Sequence, residues 1–465
     1  MTDAHIAQNA LEDLSKKLDE SVIINPEAGD YRIARDIYTD PVLFELEMKY
    51  IFEGNWVFLG HEDQVRNKND FLTTYIGRQA VILTRNSEGE LGCFINACAH
   101  RGARVCREKK GNKKILACPF HGWCYDSGGR LVDYKEDGAG YPESFDPAQH
   151  GLTPIPRLES YRGFLWASLS DDVVPLADYL GGTRTLIDLI VDQSPEKKLE
   201  ILRGSTRYSY KGNWKLQAEN GLDGYHVQST HGNYVMTVMR RAKGESTNKT
   251  KTMDLADFSK IAGGFYAFEH GHALLWTGYP NYKDRPNYEV REAFEKEFGT
   301  GKAEWMNARL RNLMLFPNVF LMDQTSTQIR IFRPVAVNQT EVTTYCMAPK
   351  GESAPARALR IRQYEDFFNA SGMATPDDLT EFENCQTGYE ARNAPWNDVS
   401  RGATHWVKGT NEVGRVLDLG ATLSGSKPED EGLYVVIHEN WLKRMKKAVA
   451  QEMNDNKKNI QEAAE

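Results

Sequence analysis

Two short segments of the chain each pair one cysteine with one histidine. The first is Cys98-Ala99-His100 and the second is Cys118-Pro119-Phe120-His121. A glycine follows each segment closely, Gly102 after the first and Gly122 after the second, so the backbone can turn tightly there. The fold must therefore bring together two loops, each of which offers one soft sulfur and one imidazole to a shared metal group.

This ligand set is that of a Rieske [2Fe-2S] cluster, in which two thiolates hold one iron and two neutral imidazoles hold the other. A structural zinc ion also takes two cysteines and two histidines, and it remains the alternative at this point. Finger-type zinc sites usually group like ligands, whereas each loop here is mixed. We therefore predict a Rieske cluster whose ligands are Cys98, His100, Cys118 and His121.

The length and charge of the chain limit what else it can be. A chain of 465 residues is long enough for two or three domains, so a lone electron carrier of this type is excluded. The net charge of -8 argues against a nucleic acid or an anionic membrane as partner, because both normally require a basic face. No apolar run approaches the length of a membrane-spanning helix, and the first residues do not resemble a signal peptide. A cytoplasmic location is the expectation.

Five cysteines remain after the cluster ligands are assigned. An odd number scattered over a long chain without a secretion signal predicts reduced thiols and not a disulfide framework. We interpret all five as packing residues: Cys93, Cys106, Cys124, Cys346 and Cys385.

The pattern along the chain predicts an α+β protein in three parts. Residues 1–52 form an N-terminal helical segment that packs on the larger of two following domains, with helices near 6–18 and 41–52 and with Asp40 as N-cap of the second. Residues 53–166 form a small antiparallel β domain that carries the cluster loops. Residues 167–465 form a larger domain, in which helices cover an antiparallel sheet.

Local patterns place several elements in that larger domain. Strand-like runs occur at 206–210, 273–277 and 328–347, and the last contains a polar turn typical of a β-hairpin. Helical patterns follow at 354–368 and from 376 onward.

A second metal site is indicated within the larger domain. Asp223 precedes two histidines, His226 and His231, which lie five residues apart. A regular helix would splay the two imidazoles, whereas a break between them would let both face one ion. Taken alone, two incidental histidines explain the segment better. A one-electron carrier fused to a large domain needs an acceptor, however, and two histidines with one carboxylate form the facial triad of non-heme iron(II) oxygenases.

The third ligand is less evident. The best candidate segment is Thr375-Pro376-Asp377-Asp378, which opens a helical run. The same residues also suit a helix start, with Thr375 as N-cap, Pro376 in the first turn and acidic residues favoured by the helix dipole. Composition does not choose between a cap and a ligand.

Taken in order, these motifs resemble a known family. The cluster segments, the Asp223…His226…His231 segment and the late Asp-Asp pair are similar to the α subunit of the Rieske non-heme iron aromatic-ring-hydroxylating dioxygenases. The similarity extends from about residue 31 to about residue 441. It is greatest to the benzoate, toluate, 2-halobenzoate and anthranilate 1,2-dioxygenases, through stretches such as 50–56, 361–368 and 371–378.

The resemblance implies a role for each motif residue. The four cluster ligands are those given above. The mononuclear Fe(II) would be held by His226, His231 and Asp378, with Asp377 the less favoured carboxylate. Asp223 would bridge electron transfer from the cluster of a neighbouring subunit, and Asn220 is expected near the iron.

The resemblance also implies partners. It predicts an α3β3 hexamer with a small β subunit, and electrons that come from NADH through a separate flavin and iron-sulfur reductase. This chain contains no G-x-G-x-x-G unit, which agrees with a separate reductase. The basic run at 107–114 is either a docking site for that reductase or a solvated hairpin tip.

The implied reaction is the cis-dihydroxylation of an aromatic carboxylate with O₂, and a 2-amino substrate would yield a catechol after loss of ammonia and CO₂. Three alternatives remain: a Rieske-type monooxygenase or demethylase, an electron-transfer protein with a binding domain, and a zinc-stabilised interaction protein. The substrate itself stays open. Gly232 stands where related chains carry an aromatic residue, and either Arg330 or Arg333 could pair with a substrate carboxylate.

Overall fold

The computed structural model describes residues 8–135, 140–244 and 261–464. The chain divides into two compact units, Ile51–Leu176 and the combination of Met1–Tyr50 with Ala177–Glu465. The predicted mixture of helices and antiparallel sheets, with the Rieske domain ahead of the catalytic domain, is confirmed. The boundaries at 52 and 166 stay predictions.

Among the described helices, none is long and apolar enough to cross a membrane. The cytoplasmic location stays a prediction.

The N-terminal segment is less helical than predicted. Helix α1 (Gln8–Ser21) places Leu11, Leu14 and Leu18 on one buried face, as the sequence pattern requires; residues 6 and 7 of the predicted helix lie outside the described residues. A hairpin of β1 (Val22–Asn25) and β2 (Asp30–Ala34) follows, which the sequence pattern did not reveal.

The second N-terminal helix begins as predicted and ends differently. The Asp40 side chain accepts hydrogen bonds from Val42 N and Leu43 N and so caps α2 (Pro41–Glu47). A π-helical turn then spans Met48–Glu53, so the chain is helical through residue 52 as predicted, but its last turn is π-helical and not α-helical.

The smaller unit is built from short antiparallel strands in three sheets. The first sheet has the order β11-β12-β3, the second β6-β5-β4-β7 and the third β10-β9-β8. The strands are β3 (Val57–His61), β4 (Asp70–Ile76), β5 (Gln79–Arg85), β6 (Leu91–Ile95), β7 (Lys110–Asn112), β8 (Ile115–Ala117), β9 (Cys124–Asp126), β10 (Leu131–Asp133), β11 (Arg157–Tyr161) and β12 (Phe164–Ser168).

The larger unit is organised around one ten-stranded antiparallel sheet. Its order is β13-β20-β19-β18-β17-β16-β15-β23-β22, and β14 also pairs with β20. The remaining strand, β21 (Trp396–Asp398), pairs with β2. The sheet strands are β13 (Leu199–Ile201), β14 (Thr206–Tyr210), β15 (Gly263–Ala267), β16 (Ala273–Gly278), β17 (Arg309–Leu315), β18 (Val319–Asp323), β19 (Thr327–Ala336), β20 (Gln339–Pro349), β22 (Val407–Lys408) and β23 (Leu423–Gly425).

The predicted hairpin is β19–β20, whose register pairs Arg330 with Thr344 and Arg333 with Glu341. Helices cover this sheet: α9 lies against β19 and β20, α5 against β19, and α11 against β15 and β23. The helices are α3 (Leu176–Leu180), α4 (Thr183–Val191), α5 (Trp214–Asn220), α6 (Val227–Thr230), α7 (Gly232–Ala242), α8 (Arg291–Asn307), α9 (Ala354–Phe367), α10 (Thr375–Tyr389) and α11 (Gly432–Ala464).

Two smaller expectations fail. Thr375 is not the N-cap of α10, because Ala374 occupies that position and the Thr375 hydroxyl donates to the carbonyl of Phe368 instead. Cys385 is exposed on α10 and therefore is not a packing residue. Of the other unassigned cysteines, Cys124 is partly buried and the remaining three are buried.

Candidate metal centres

The predicted cluster ligands lie in two loops of the smaller unit. Cys98 and His100 follow β6, while Cys118 and His121 lie between β8 and β9. The two cysteines are 4% and 3% exposed, and the two imidazole centroids are 4.5 Å apart. The structure therefore brings all four residues into one region.

The two loops share one hydrogen-bonding pattern. Cys98 N donates to the carbonyl of Ala103, and the Cys98 carbonyl accepts from Gly102 N. Cys118 N donates to the carbonyl of Trp123, and the Cys118 carbonyl accepts from Gly122 N. Each glycine has a positive φ, 72° and 80° respectively, which favours glycine over any side-chain-bearing residue. The same turn is thus built twice, around each cysteine.

The chemistry of these loops fits an iron-sulfur cluster. Nδ1 of His100 is buried and has no hydrogen-bond partner among the described residues, so it remains available as a metal ligand. Burial, together with the nearby His100 and Arg101, lowers the pKa of His121 and favours the neutral imidazole that ligation requires. The Rieske donor set consists of two thiolates and two neutral imidazoles.

Two aromatic residues near the cluster were missed in the sequence. The Tyr125 hydroxyl lies 3.1 Å from Sγ of Cys98 and accepts from Ala99 N, and the Trp123 ring stacks on His100 at 5.0 Å. Both aromatic residues are buried and alternate along the chain immediately after His121. That Trp-x-Tyr alternation was the available signal, because alternate residues of a strand share one face.

The second site begins where α5 ends against the large sheet. Asn213 caps α5 by accepting from Lys215 N, and the helix ends at Gly221. A Cβ on Gly221 would lie 2.3 Å from the Phe320 ring, so the chain can approach the sheet this closely only because glycine stands there. Asp223 then accepts from Tyr225 N and His226 N, and this turn sets the entry to the first histidine.

The structure contains the break that the spacing of the histidines requires. His226 precedes the one-turn helix α6, and His231 lies between α6 and α7 with a non-helical φ of -97° and ψ of 28°. Their Nε2 atoms consequently lie 3.2 Å apart. Both imidazoles face one point.

Asp378 completes the group from the first turn of α10. Its Oδ1 lies 3.4 Å from His226 Nε2 and 3.3 Å from His231 Nε2. Donors about 2.1–2.2 Å from one ion at angles near 90–100° are separated by about 3.0–3.4 Å, which is the facial arrangement. Within the described part of the chain this is the group whose donors converge on one ion. The residues present therefore fit a mononuclear metal.

The other predicted residues surround this triad. Asn220 donates from Nδ2 to Asp378 Oδ1 at 3.1 Å and lies 3.4 Å from His226 Nε2. Asp223 Oδ2 lies 3.3 Å from His226 Nδ1. Asp377 approaches His231 on the other side of the ring, where Oδ2 lies 3.8 Å from Nδ1, and its side chain is 32% exposed. Asp377 is therefore not part of the triad.

The electrostatics of the triad favour a cation. Burial alone would lower the pKa of His226, but the carboxylates of Asp223 and Asp378 outweigh it and raise the pKa to about 10. Although burial opposes its ionisation, contact with the two histidines holds the pKa of Asp378 below its usual range. Without metal the triad is thus proton-bound at neutral pH, and a metal ion replaces that proton.

A cavity opens beside the triad. It encloses about 910 Å³ including its mouth, and its wall includes all three triad residues. One side is the sheet, represented by Trp276, Leu310 and Met322, and the other is the helical layer, represented by Tyr234, Phe367 and Phe368. The pocket is largely apolar, as a binding site for an aromatic ring requires.

The remaining residues that the sequence suggested for the substrate pocket differ in whether they line the cavity. Arg330 lines this cavity and is 4% exposed, whereas the Arg333 side chain is 27% exposed and pairs with Glu341 at 2.7 Å. Gly232 does not belong to the described cavity wall, and a Cβ there would meet nothing within 4 Å.

The basic run includes β7, an edge strand paired with β4, so the hairpin-tip interpretation is wrong. Charged edge strands are common because they discourage unwanted pairing. Reductase docking stays a prediction.

Two family descriptions match the chain. The first is the ring hydroxylating alpha subunit (catalytic domain), over residues 200–455, and the second is the Rieske [2Fe-2S] domain, over residues 55–144. The second match covers all four predicted cluster ligands and supports the cluster over the zinc alternative. Catalytic domains of the first family bind a mononuclear iron.

Individual relatives match over nearly the whole chain. The chain is 50% identical to the toluate 1,2-dioxygenase subunit alpha of Pseudomonas putida over 439 residues, covering 94% of this chain and 96% of that one. It is 50% identical to the 2-halobenzoate 1,2-dioxygenase large subunit of Burkholderia cepacia, covering 92% of each. It is 47% identical to the anthranilate 1,2-dioxygenase large subunit of Acinetobacter baylyi, covering 90% of each.

The fold also has a solved counterpart. Naphthalene 1,2-dioxygenase from Rhodococcus, in a crystal structure with bound indole, superposes with a TM-score of 0.79 at 24% identity, covering 94% of this chain and 98% of that one. At that identity the likeness concerns the fold alone. Together with the Rieske match, the catalytic-domain match over 200–455 and the relatives at 47–50% identity establish that this chain belongs to the ring-hydroxylating oxygenase α subunits, oxidoreductases with a Rieske domain.

Proposed function

We propose that this chain is the α subunit of a terminal oxygenase that cis-dihydroxylates an aromatic carboxylate such as benzoate, anthranilate or a substituted benzoate. The observation that carries the proposal is the convergence of His226, His231 and Asp378 at the wall of a largely apolar cavity. The toluate, 2-halobenzoate and anthranilate 1,2-dioxygenases, which the chain resembles at 47–50% identity, support an arene carboxylate as substrate.

The atoms and electrons of the overall reaction balance with O₂ and NADH as the co-substrates. One arene carboxylate, one O₂, one NADH and one proton give one cis-diol and NAD⁺. Both oxygen atoms enter the ring, and two electrons reach the oxygenase from NADH through a separate reductase. Iron bound at the triad would supply the O₂ activation.

The residues of the chain prepare this site. His226 and His231 present Nε2 as neutral ligands, and Asp378 presents one carboxylate oxygen. Asn220 donates a hydrogen bond to that same oxygen and so fixes the orientation of the carboxylate. The apolar walls exclude water from the face of a bound ring.

We assign Asp223 two roles, the orientation of His226 and the bridging of electron transfer between subunits. Its contact with His226 Nδ1 fixes the ring so that Nε2 points at the metal position. In the assembly we propose, an α3β3 hexamer with a small β subunit, the same carboxylate bridges this site to a cluster histidine of a neighbouring subunit, and electrons pass between the two metal centres across that bridge. The cluster ligands of each chain are Cys98, His100, Cys118 and His121.

The decisive experiment reconstitutes the chain with its small subunit, a reductase, NADH and ¹⁸O₂. Benzoate, anthranilate and 2-chlorobenzoate form the substrate panel, and larger arene acids extend it. We expect a cis-diol, or the catechol that forms from it, with two labelled oxygens from one O₂. A product with one labelled oxygen, or a demethylated product, would replace this proposal by a monooxygenase or demethylase.

The assembly is tested separately. Sedimentation of the co-expressed α and β subunits should give a particle with three copies of each. A monomer or an α-only ring would contradict the proposed hexamer without affecting the reaction.

A further inference from the structure

Arg330 is a buried cation on the wall of the substrate cavity. It lies on β19, where Phe320 and Thr344 are its cross-strand neighbours, and it is 4% exposed. The same cavity wall includes Asp378 and both triad histidines. A positive side chain is thus built into the wall of an otherwise largely apolar pocket.

No anion balances this arginine within the described part of the chain. Its Nε is buried without a hydrogen-bond partner, and its guanidinium carbon lies 5.7 Å from the centroid of the Phe368 ring. Other buried arginines are paired: Arg311, which also lines the cavity, binds Asp323, and Arg360 binds Glu352 at 2.9 Å. Arg330 differs from both by having no carboxylate partner there.

A buried charge without a partner is costly, because it loses hydration and gains no ion pair in return. A bound anion removes that cost. The guanidinium fork matches a carboxylate in shape and charge, and the pair can form two parallel hydrogen bonds. The surrounding walls, with Trp276 and Phe367, suit the ring of the same molecule.

Arg333 provides the natural comparison. It lies three residues further along β19 and therefore points to the other face of the strand. There it pairs with Glu341 at 2.7 Å, and its side chain is 27% exposed. Of the two arginines on this strand, only Arg330 contacts the cavity.

The charges of Arg330 and Asp378 both act on Tyr208. Burial raises the pKa of Tyr208, the positive charge of Arg330 opposes this, and the negative charge of Asp378 reinforces it. Its hydroxyl is buried without a hydrogen-bond partner among the described residues. Arg330 and the triad residues line the same cavity, so a substrate anchored at the arginine occupies the cavity that the triad also adjoins.

We infer that Arg330 binds the carboxylate of the arene substrate and thereby determines which ring carbons face the metal. This inference rests on the proposed function, since it presumes an arene carboxylate as substrate. It adds the specificity-determining residue and the mode of recognition.

The test compares R330Q, R330K and the surface control R333Q in the full-length chain, loaded with both metal centres and complexed with the small subunit. Calorimetry measures the affinity for benzoate and for benzamide, its neutral analogue of similar shape. Product analysis gives the position of the two hydroxyl groups. Iron content and the Rieske spectrum confirm that each variant is folded and loaded.

We expect R330Q to weaken benzoate binding at least about 30-fold, the loss typical of a charge pair that loses one partner. Benzamide binding should change less than about threefold, and the residual products from benzoate should include diols at other ring positions. R330K should be intermediate, because it keeps the charge and loses the fork. R333Q should match the wild type.

Two results would overturn the inference: benzoate affinity unchanged in R330Q, or equal losses for benzoate and benzamide. A failure of the proposed function has a different outcome. In that case the wild type itself oxidises none of the arene acids, whatever the variants bind.

Discussion

Oδ2 of Asp223 lies 3.3 Å from Nδ1 of His226, on the side of the ring opposite to the metal position. The other oxygen, Oδ1, accepts from the backbone N–H groups of Tyr225 and His226. One carboxylate thus fixes both the turn and the ring. A ring nitrogen held in this way leaves Nε2 free for the metal.

Asp223→Asn separates these two contributions. Asparagine keeps an Oδ1 acceptor for the turn, so both metal centres should load, but it replaces the second oxygen by an amide donor. We expect turnover to fall about 10–100-fold, the usual effect of losing such a supporting carboxylate. Stopped-flow absorbance should show that the reduced cluster is reoxidised correspondingly more slowly in a single turnover. Normal turnover would remove the bridging role.

Asp378→Asn should weaken mononuclear iron binding, because it removes the carboxylate ligand of the triad. Metal analysis should show iron at the cluster and a loss of at least about tenfold in affinity at the second site. The matched control is Asp377→Asn, one residue earlier on the same helix turn. Its carboxylate offers no oxygen to the metal position and lies 3.8 Å from His231 Nδ1, beyond hydrogen-bond distance, so iron content should change far less than in Asp378→Asn. Equal losses in both variants would contradict the assignment of Asp378.

Iron loading should depend on pH with a definite sign. Without metal the pKa of His226 is raised to about 10, so at neutral pH a proton occupies the site and iron must displace it. Between pH 6 and 8 the apparent affinity should therefore fall about tenfold for each unit of decreasing pH, which is about 1.4 kcal/mol per unit. Anaerobic calorimetry in two buffers of different ionisation enthalpy should detect about one proton released per iron. An affinity independent of pH would show that the metal-free triad is already deprotonated.

Tyr125→Phe should lower the reduction potential of the cluster. Because a cluster-bound Cys98 is a thiolate without a proton, and the Tyr125 oxygen already accepts from Ala99 N, the Tyr125 hydroxyl is the donor to Sγ of Cys98 in the loaded protein. Hydrogen bonds to cluster sulfurs favour the more negative, reduced state. Losing one should cost about 30–60 mV, measured by redox titration of the Rieske spectrum.

Tyr141→Phe is the control for this change. Its hydroxyl accepts from Trp123 Nε1 at 3.2 Å, which places it within the same aromatic group. The potential should be unchanged in this variant. A shift of equal size in both variants would attribute the effect to packing and not to the Cys98 contact.

The sequence predicted best those features that depend on neighbouring residues. The cluster loops, the cap at Asp40 and the β19–β20 hairpin follow from local spacing and turn chemistry, and the structure contains all of them. It failed where the decisive contact is distant. Thr375 resembled an N-cap, yet its hydroxyl donates a hydrogen bond to the carbonyl of Phe368, which lies at the end of the preceding helix.

The two arginines illustrate the same limit. Their spacing of three on a strand already placed Arg330 and Arg333 on opposite faces. Which face adjoins the cavity depends on how the sheet packs against α9 and α10, and no local pattern records that. For Tyr125, the Trp-x-Tyr alternation signals a shared face with Trp123, but it does not reveal the contact with Cys98, which joins β9 to the loop after β6.

The triad draws its ligands from two places far apart in the chain, since about 150 residues separate the histidines from Asp378. Besides its chemical role, a bound ion would therefore cross-link α10 to the segment between α5 and α7. Closing so long a loop removes conformational freedom that side-chain contacts alone must otherwise restrain. Helix α7, which starts directly after His231, would be held in place by the same ion. Because Tyr234 on α7 lines the cavity, loading the site with metal should also make this part of the cavity wall more rigid.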